Sequence, residues 1–169
     1  AIENFQSSLD ADEEEVPPAR IVLLSDGYNT VGRPDTQAID AALERGDRVA
    51  ATARDAASLG GLVEKYGDAV LPLTLDVNSR EAAFAAVRQA HEHFGRLDVV
   101  VNNAGYGQFG LIEELGEAEV RDQFETNVFG ALWVTQAALP FLRGQGSGHI
   151  IQVSSIGGIS AFGGLGIYN

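Results

Sequence analysis

Five short apolar runs, separated by stretches long enough to hold helices, constrain this chain more than any other feature. They fall at residues 21–24, 48–53, 69–75, 97–101 and 149–153. The first, Ile21-Val22-Leu23-Leu24, is continuous rather than alternating, as expected of a parallel strand buried on both faces. Between the runs, apolar residues recur at helical spacing. Ala38, Ile39, Ala42 and Leu43 lead up to Gly46, and residues 56–66 form a second helical stretch. Ser79 caps a third, with Glu81 in its first turn and Ala82, Ala83, Ala86, Val87, Ala90 and Phe94 along it. Residues 117–142 read as one long helix. Helical connections of this length are what parallel crossovers require. Right-handed crossovers then give an α/β fold with a doubly wound parallel sheet in the order 3-2-1-4-5. Ligands of such sheets bind beyond the carboxyl ends of the strands, where the order reverses. That edge collects residues 26–32, Arg54, Asp76, residues 103–107 and Ser154-Ser155.

Composition narrows the function classes. The net charge of −13 argues against a nucleic-acid binder and against attachment to an anionic membrane surface. The chain has no Cys, which removes disulfides, thiolate metal sites and cysteine nucleophiles together. Residues 144–169 carry no Asp, Glu, Lys or Arg, yet eight of these 26 are Gly, too polar and flexible a mix for a spanning helix. The N-terminus lacks the basic start and apolar run of a signal peptide, so the expected compartment is cytoplasmic. It also lacks an initiator Met, so the chain is expected to begin inside a longer protein. Residues 1–19, with Asp10, Asp12, Glu13, Glu14, Glu15 and then Pro17-Pro18, read as a solvated acidic linker ahead of one domain over residues 20–169. His91 and His93 lie two apart on a helix, about 200° around it, and cannot share a metal; no metal ligands are expected.

The loops at the sheet edge carry specific motifs. Leu75-Asp76-Val77 follows the third strand and Asn102-Asn103-Ala104-Gly105 the fourth. Thr126-Asn127-Val128-Phe129-Gly130 lies in the long helix, Ser154-Ser155 ends the fifth strand, and Tyr168 stands 13 positions after Ser155. In this order and spacing the set resembles the short-chain dehydrogenase/reductase family over about residues 46–169. The resemblance implies a Rossmann-like nucleotide-binding domain and hydride transfer between a nicotinamide dinucleotide and a small carbonyl or alcohol. It implies that Tyr168 is the general acid/base, that Ser155 donates a hydrogen bond to the substrate oxygen, and that Asn127 holds a water of the proton relay. Asn103, Ala104 and Gly105 would line the cofactor, Asn102 would support the central sheet, and Asp76 with Val77 would meet the adenine ring.

Cofactor preference turns on the second strand. A carboxylate at its end would bind the ribose 2′-hydroxyl of NAD, whereas a nearby Arg accommodates a 2′-phosphate. Here Ala53 stands where the family places the acid and Arg54 follows it, so NADP(H) is favoured over NAD(H).

Two departures from the family pattern shape the remaining expectations. The glycine-rich turn after strand one should run Thr-Gly-x-x-x-Gly-x-Gly; here it is Ser25-Asp26-Gly27-Tyr28-Asn29-Thr30-Val31-Gly32. Ser25, Gly27 and Gly32 are the cofactor-binding candidates of this turn. Asp26 replaces a glycine, and a carboxylate about 4 Å from a pyrophosphate repels each charge by ~4 kcal/mol at an effective dielectric of 20. Residues 1–40, with their Ser25-Asp26-Gly27 turn, resemble a von Willebrand factor type A domain, which implies a chimera and, as an alternative function, a metal-dependent adhesion module. A non-catalytic structural fragment is the other alternative. The second departure is at the end. The family's Lys four positions beyond the Tyr has no counterpart, because the sequence stops at Asn169. The expectation is therefore a C-terminally truncated domain with impaired turnover, an uncovered fifth strand and incomplete homo-oligomer contacts.

Overall fold

A computed structural model of the chain describes residues 18–24 and 34–169. Five parallel strands form one sheet: β1 (Arg20–Leu24), β2 (Arg48–Ala53), β3 (Val70–Thr74), β4 (Val99–Asn102) and β5 (His149–Gln152). Their order is β3-β2-β1-β4-β5, the doubly wound order expected from the crossovers. Pro72, which has no N–H to give a ladder, lies in β3 at one edge of the sheet. β5 forms the other edge and leaves Ile151 and the following Val153 exposed.

The start of β1 is held by two carboxylates. Asp47 and Asp98 immediately precede β2 and β4, and they accept the backbone N–H groups of Ala19 and Arg20, each at 2.8 Å. Asp47 is almost wholly buried and pairs with Arg45, while Asp98 pairs with Arg96 at 2.6 Å. The buried Asp47 charge is thus matched, as a low-dielectric setting demands, and the half-buried Asp98 is paired as well.

Helices cover both faces. α1 (Pro34–Glu44) and α2 (Gly60–Tyr66) pack on one side, where Ile39, Leu43, Val49, Ala51, Ala53 and Val70 form a core. α3 (Arg80–Phe94) covers the other, with Ala83, Ala86, Val87, Ala90 and Phe94 turned inward. β2 alternates between the two cores, Ala50 pointing to one and Val49 and Ala51 to the other, as the period of two requires. The Ser79 hydroxyl caps α3 by accepting the N–H of Ala82 at 3.2 Å.

Two helices differ from their sequence pattern. Residues 56–66 divide into a 3-10 turn (Ala56–Leu59) and α2, which begins at the Gly60-Gly61 pair. The long helix is not uniform either. It comprises α4 (Glu117–Phe124), a π-helical turn (Glu125–Gly130) and α5 (Ala131–Gln145), which continues through Pro140. The small faces of α3 and α5 lie together, with Val134, Ala137 and Ala138 of α5 joining Ala86, Val87 and Ala90 in one core. Among the described residues no helix is long and apolar enough to cross a membrane.

Candidate active site

The site is built at the carboxyl edge of the sheet, where the chain leaves β2, β3, β4 and β5 in turn. After β3, Asp76 accepts the N–H of Asn78 at 3.0 Å, which folds residues 76–78 into a tight turn. Arg54, Leu75, Asp76, Val77, Asn78, Tyr106 and Thr126 line a shallow, open concavity there. Three residues singled out from the sequence, Arg54, Asp76 and Val77, therefore share one pocket.

Tyr106 and Thr126, from the edge loop and the helix motif, join them, as does Asn78, which the sequence had not singled out. The Thr126 hydroxyl donates to the Asn78 side-chain oxygen at 3.0 Å, so the π turn grips the loop after β3. Gly130, one turn later, faces Val77: a Cβ at position 130 would sit 2.8 Å from a Val77 methyl, closer than any side chain tolerates. The motif glycine is thus required for close approach. The Tyr106 phenol is held above its ordinary pKa, first by desolvation and then by the nearby Asp122 carboxylate, so it lines the pocket as a neutral group.

After β4, the loop carrying Asn103, Ala104 and Gly105 passes over the π turn. The Asn127 side chain bonds the Tyr106 backbone at both ends and lies against Gly105. Asn102, at the end of β4, donates to the Thr135 hydroxyl of α5 at 3.1 Å, in keeping with a supporting role in the sheet.

Beyond β5, Ser155 begins a short 3-10 turn (Ile156–Gly158), its Oγ accepting the N–H of Gly157 at 3.1 Å. The Tyr168 ring packs directly on Gly157, 3.0 Å from where a Cβ would project, and also lies against Gly107 of the β4 loop. Ser155, Tyr168 and the Asn103–Gly107 stretch are therefore neighbours in space, though 13 to 65 positions separate Tyr168 from them in sequence. Ser25, Gly27 and Gly32, together with Asp26, lie outside the described residues.

The other candidates weighed from the sequence do not enter the site. His91 stacks on Phe141 with ring centroids 4.2 Å apart, and Phe129 stacks on Trp133. Among the described residues no cluster of three or more His, Asp or Glu could hold a metal ion.

Comparison with known proteins identifies this arrangement. The family model for short chain dehydrogenases matches residues 35–169. Oxidoreductase BOA17 of Botryotinia fuckeliana is 46% identical over 130 residues, 76% of this chain and 47% of that protein. A short-chain dehydrogenase from Streptomyces avermitilis superposes with a TM-score of 0.80 at 37% identity, covering 89% of this chain and 54% of that one. ElxO, in a structure with NADP bound, gives a TM-score of 0.78 at 28% identity, covering 89% and 61%. The chain thus spans about half the length of the curated relatives it matches. These matches correct one expectation. The resemblance was expected over about residues 46–169, and the family match extends it back to residue 35, through α1. The family match begins at residue 35 rather than near Gly46, and there is no evidence for a von Willebrand segment. The chain belongs to the short-chain dehydrogenase/reductase family of oxidoreductases.

Proposed function

We propose that these residues serve NADP(H)-dependent hydride transfer between a small carbonyl compound and the corresponding alcohol. One observation carries the reading: Tyr168 packs on the loop that Ser155 opens, at the same sheet edge as the pocket of Arg54 and Asp76. In this reading a proton donor and a concavity for part of the cofactor stand at one sheet edge. The pocket fits the adenosine end of the cofactor, with Val77 supplying an apolar wall, Asp76 and Asn78 polar atoms, and Arg54 a cation for a 2′-phosphate. ElxO, a relative by structure, binds NADP, which supports the same choice here. In this reading Asn103, Ala104 and Gly105, on the loop that also carries Tyr106 and Gly107, line the cofactor.

The bound nicotinamide nucleotide supplies or accepts the hydride. The Tyr168 phenol holds the proton that the carbonyl oxygen takes up on reduction, and recovers it on oxidation. Ser155 accepts from Gly157 through Oγ and keeps its own hydrogen for the substrate oxygen, stabilising negative charge there. Asn127, bonded on both sides to Tyr106, belongs to the scaffold that orders this rim and the proton relay. Impaired turnover is part of the proposal, since Asp26 places a carboxylate in the turn sequence where the family carries glycine.

Titration with NADPH and NADH tests it, read by nicotinamide fluorescence and by thermal shift. Saturable binding of NADPH, tighter than NADH, with turnover of small ketones or aldehydes abolished by Tyr168→Phe, is the expected result. A folded chain that binds neither nucleotide overturns the reading.

A further inference from the structure

Gln123 is the one long polar side chain of α4 that the fold buries; it is 4% exposed. Its amide is used at both ends. Oε1 accepts the N–H of Gln108, in the β4 loop, at 2.7 Å, and Nε2 donates to the carbonyl of Ile167 at 3.2 Å. Ile167 immediately precedes Tyr168, so this carbonyl belongs to the peptide unit that carries the tyrosine. The N–H of that same unit donates to the Leu165 carbonyl at 3.0 Å. Both polar groups of the Ile167–Tyr168 peptide are thereby fixed, one by α4 and the other by its own turn.

The neighbouring contacts reinforce the same frame. Gly110 and Leu165 form a parallel bridge, and the Gly110 N–H donates to the Gly164 carbonyl at 2.9 Å. Without Gln123, however, nothing described on α4 reaches the peptide of Tyr168 itself. A general acid acts only within about 2.6–3.2 Å of its target. Displacement by ~1 Å can lower a rate about 100-fold.

We infer that Gln123 is a positioning residue: its amide spans from the β4 loop to the Ile167–Tyr168 peptide and sets where the Tyr168 hydroxyl stands. The inference rests on Tyr168 being the acid/base, as proposed above, but the geometry it describes can be measured without turnover.

The test uses the chain labelled with fluorotyrosine at its four tyrosines, and the Tyr168 fluorine signal is identified by its loss in Tyr168→Phe. In Gln123→Leu, which preserves bulk but makes neither hydrogen bond, that signal is expected to move toward the free-tyrosine position while Tyr66, on α2, stays put. Gln123→Met, an unbranched isostere, provides the same comparison should the leucine variant fold poorly. With NADPH and a panel of small ketones and aldehydes, kcat is expected to fall about 10- to 100-fold with little change in nucleotide Kd. A Tyr168 signal unmoved in folded variants overturns the inference, as does a signal that moves while kcat holds at the parental value. If the parent turns over no carbonyl and Tyr168→Phe behaves identically, the catalytic reading fails. The fluorine signals then still decide whether Gln123 places Tyr168.

Discussion

The side chain of Asn127 closes a two-point hydrogen-bonded ring on the backbone of Tyr106, donating to its carbonyl at 2.7 Å and accepting its N–H at 3.0 Å. Asn is unfavourable inside a helix, because its amide competes for backbone groups. Here the competition is turned outward, onto the loop after β4, and the helix around Asn127 relaxes into a π turn. Such turns concentrate at functional sites because they displace side chains and carbonyls from regular positions.

Replacing Asn127 by Ala leaves two backbone groups of a half-buried loop without partners. Each lost bond costs ~1 kcal/mol and an unsatisfied buried group ~1–3 kcal/mol, so a total loss of about 2–4 kcal/mol is expected. Urea unfolding of the variant checks this. Asn127→Asp is informative beside it, since a carboxylate can accept the Tyr106 N–H but cannot donate to the carbonyl, and it should fall between parent and Ala.

The contact between Gly130 and Val77 makes a second prediction. A methyl at 130 would meet two Val77 carbons at 2.8 and 2.9 Å, both buried. Overpacking of this kind costs ~1–3 kcal/mol. Gly130→Ala should therefore destabilise the chain by that amount and weaken NADPH binding, because the displaced loop carries Asp76 and Asn78. Val77→Ala introduced together with it should restore part of both losses, a coupling that a double-mutant cycle measures directly.

Much of this architecture was legible beforehand, and the reasons are local. Short apolar runs made the strands plain, β2 with residues 49–53 all buried, and parallel crossovers left one economical order for the sheet. Arg54 and Asp76 were placed together because strand ends share an edge, and Val77 came with Asp76 from the family resemblance. The π turn was hidden because it depends on Asn127 meeting Tyr106, 21 positions away, and on Gly130 meeting Val77. Gln123 was hidden for the same reason. Its partner Ile167 lies 44 positions on, and within residues 117–124 it looks like any solvated polar residue. The resemblance of residues 1–40 to an adhesion domain rested on a strand, a Ser-Asp-Gly turn and a helix, a local pattern that a doubly wound sheet also contains.

Arg54 offers a prediction about selectivity. It lines the pocket after β2, where a carboxylate would favour NAD and an Arg a 2′-phosphate. A hydrogen bond to a charged group contributes ~1.5–3 kcal/mol, so Arg54→Ala should weaken NADPH about 10- to 100-fold and leave NADH nearly unchanged. Parallel fluorescence titrations at fixed ionic strength measure the ratio. Equal weakening of both nucleotides would assign Arg54 to general attraction rather than to the 2′-phosphate.

The pH response of the α1–α2 face follows from Asp40. Its carboxylate accepts the Tyr66 hydroxyl at 2.5 Å and the Lys65 ammonium at 3.0 Å. The Tyr66 bond and then the Lys65 bond hold the Asp40 carboxyl below its ordinary range. The Tyr66 phenol is pushed up, by desolvation first and by Asp40 next, and the Lys65 ammonium is likewise raised, by Tyr66 first and then Asp40. A carboxyl depressed on folding stabilises the native state above its unfolded value, ~3.9, and loses that contribution as pH falls through the lower folded value. The raised Lys65 and Tyr66 contribute below their unfolded values, ~10.4 and ~10, and lose it as pH climbs through the folded ones. The cluster is therefore complete from mildly acidic to mildly alkaline pH. Because the groups are solvent-facing, Asp40→Asn should lower Tm at pH 7 by only a few degrees. Thermal unfolding of parent and variant in steps from pH 7 downward should show that gap closing below ~pH 4 as Asp40 takes up its proton. A gap that stays constant down the series would mean that the carboxylate's charge is not what binds α1 to α2.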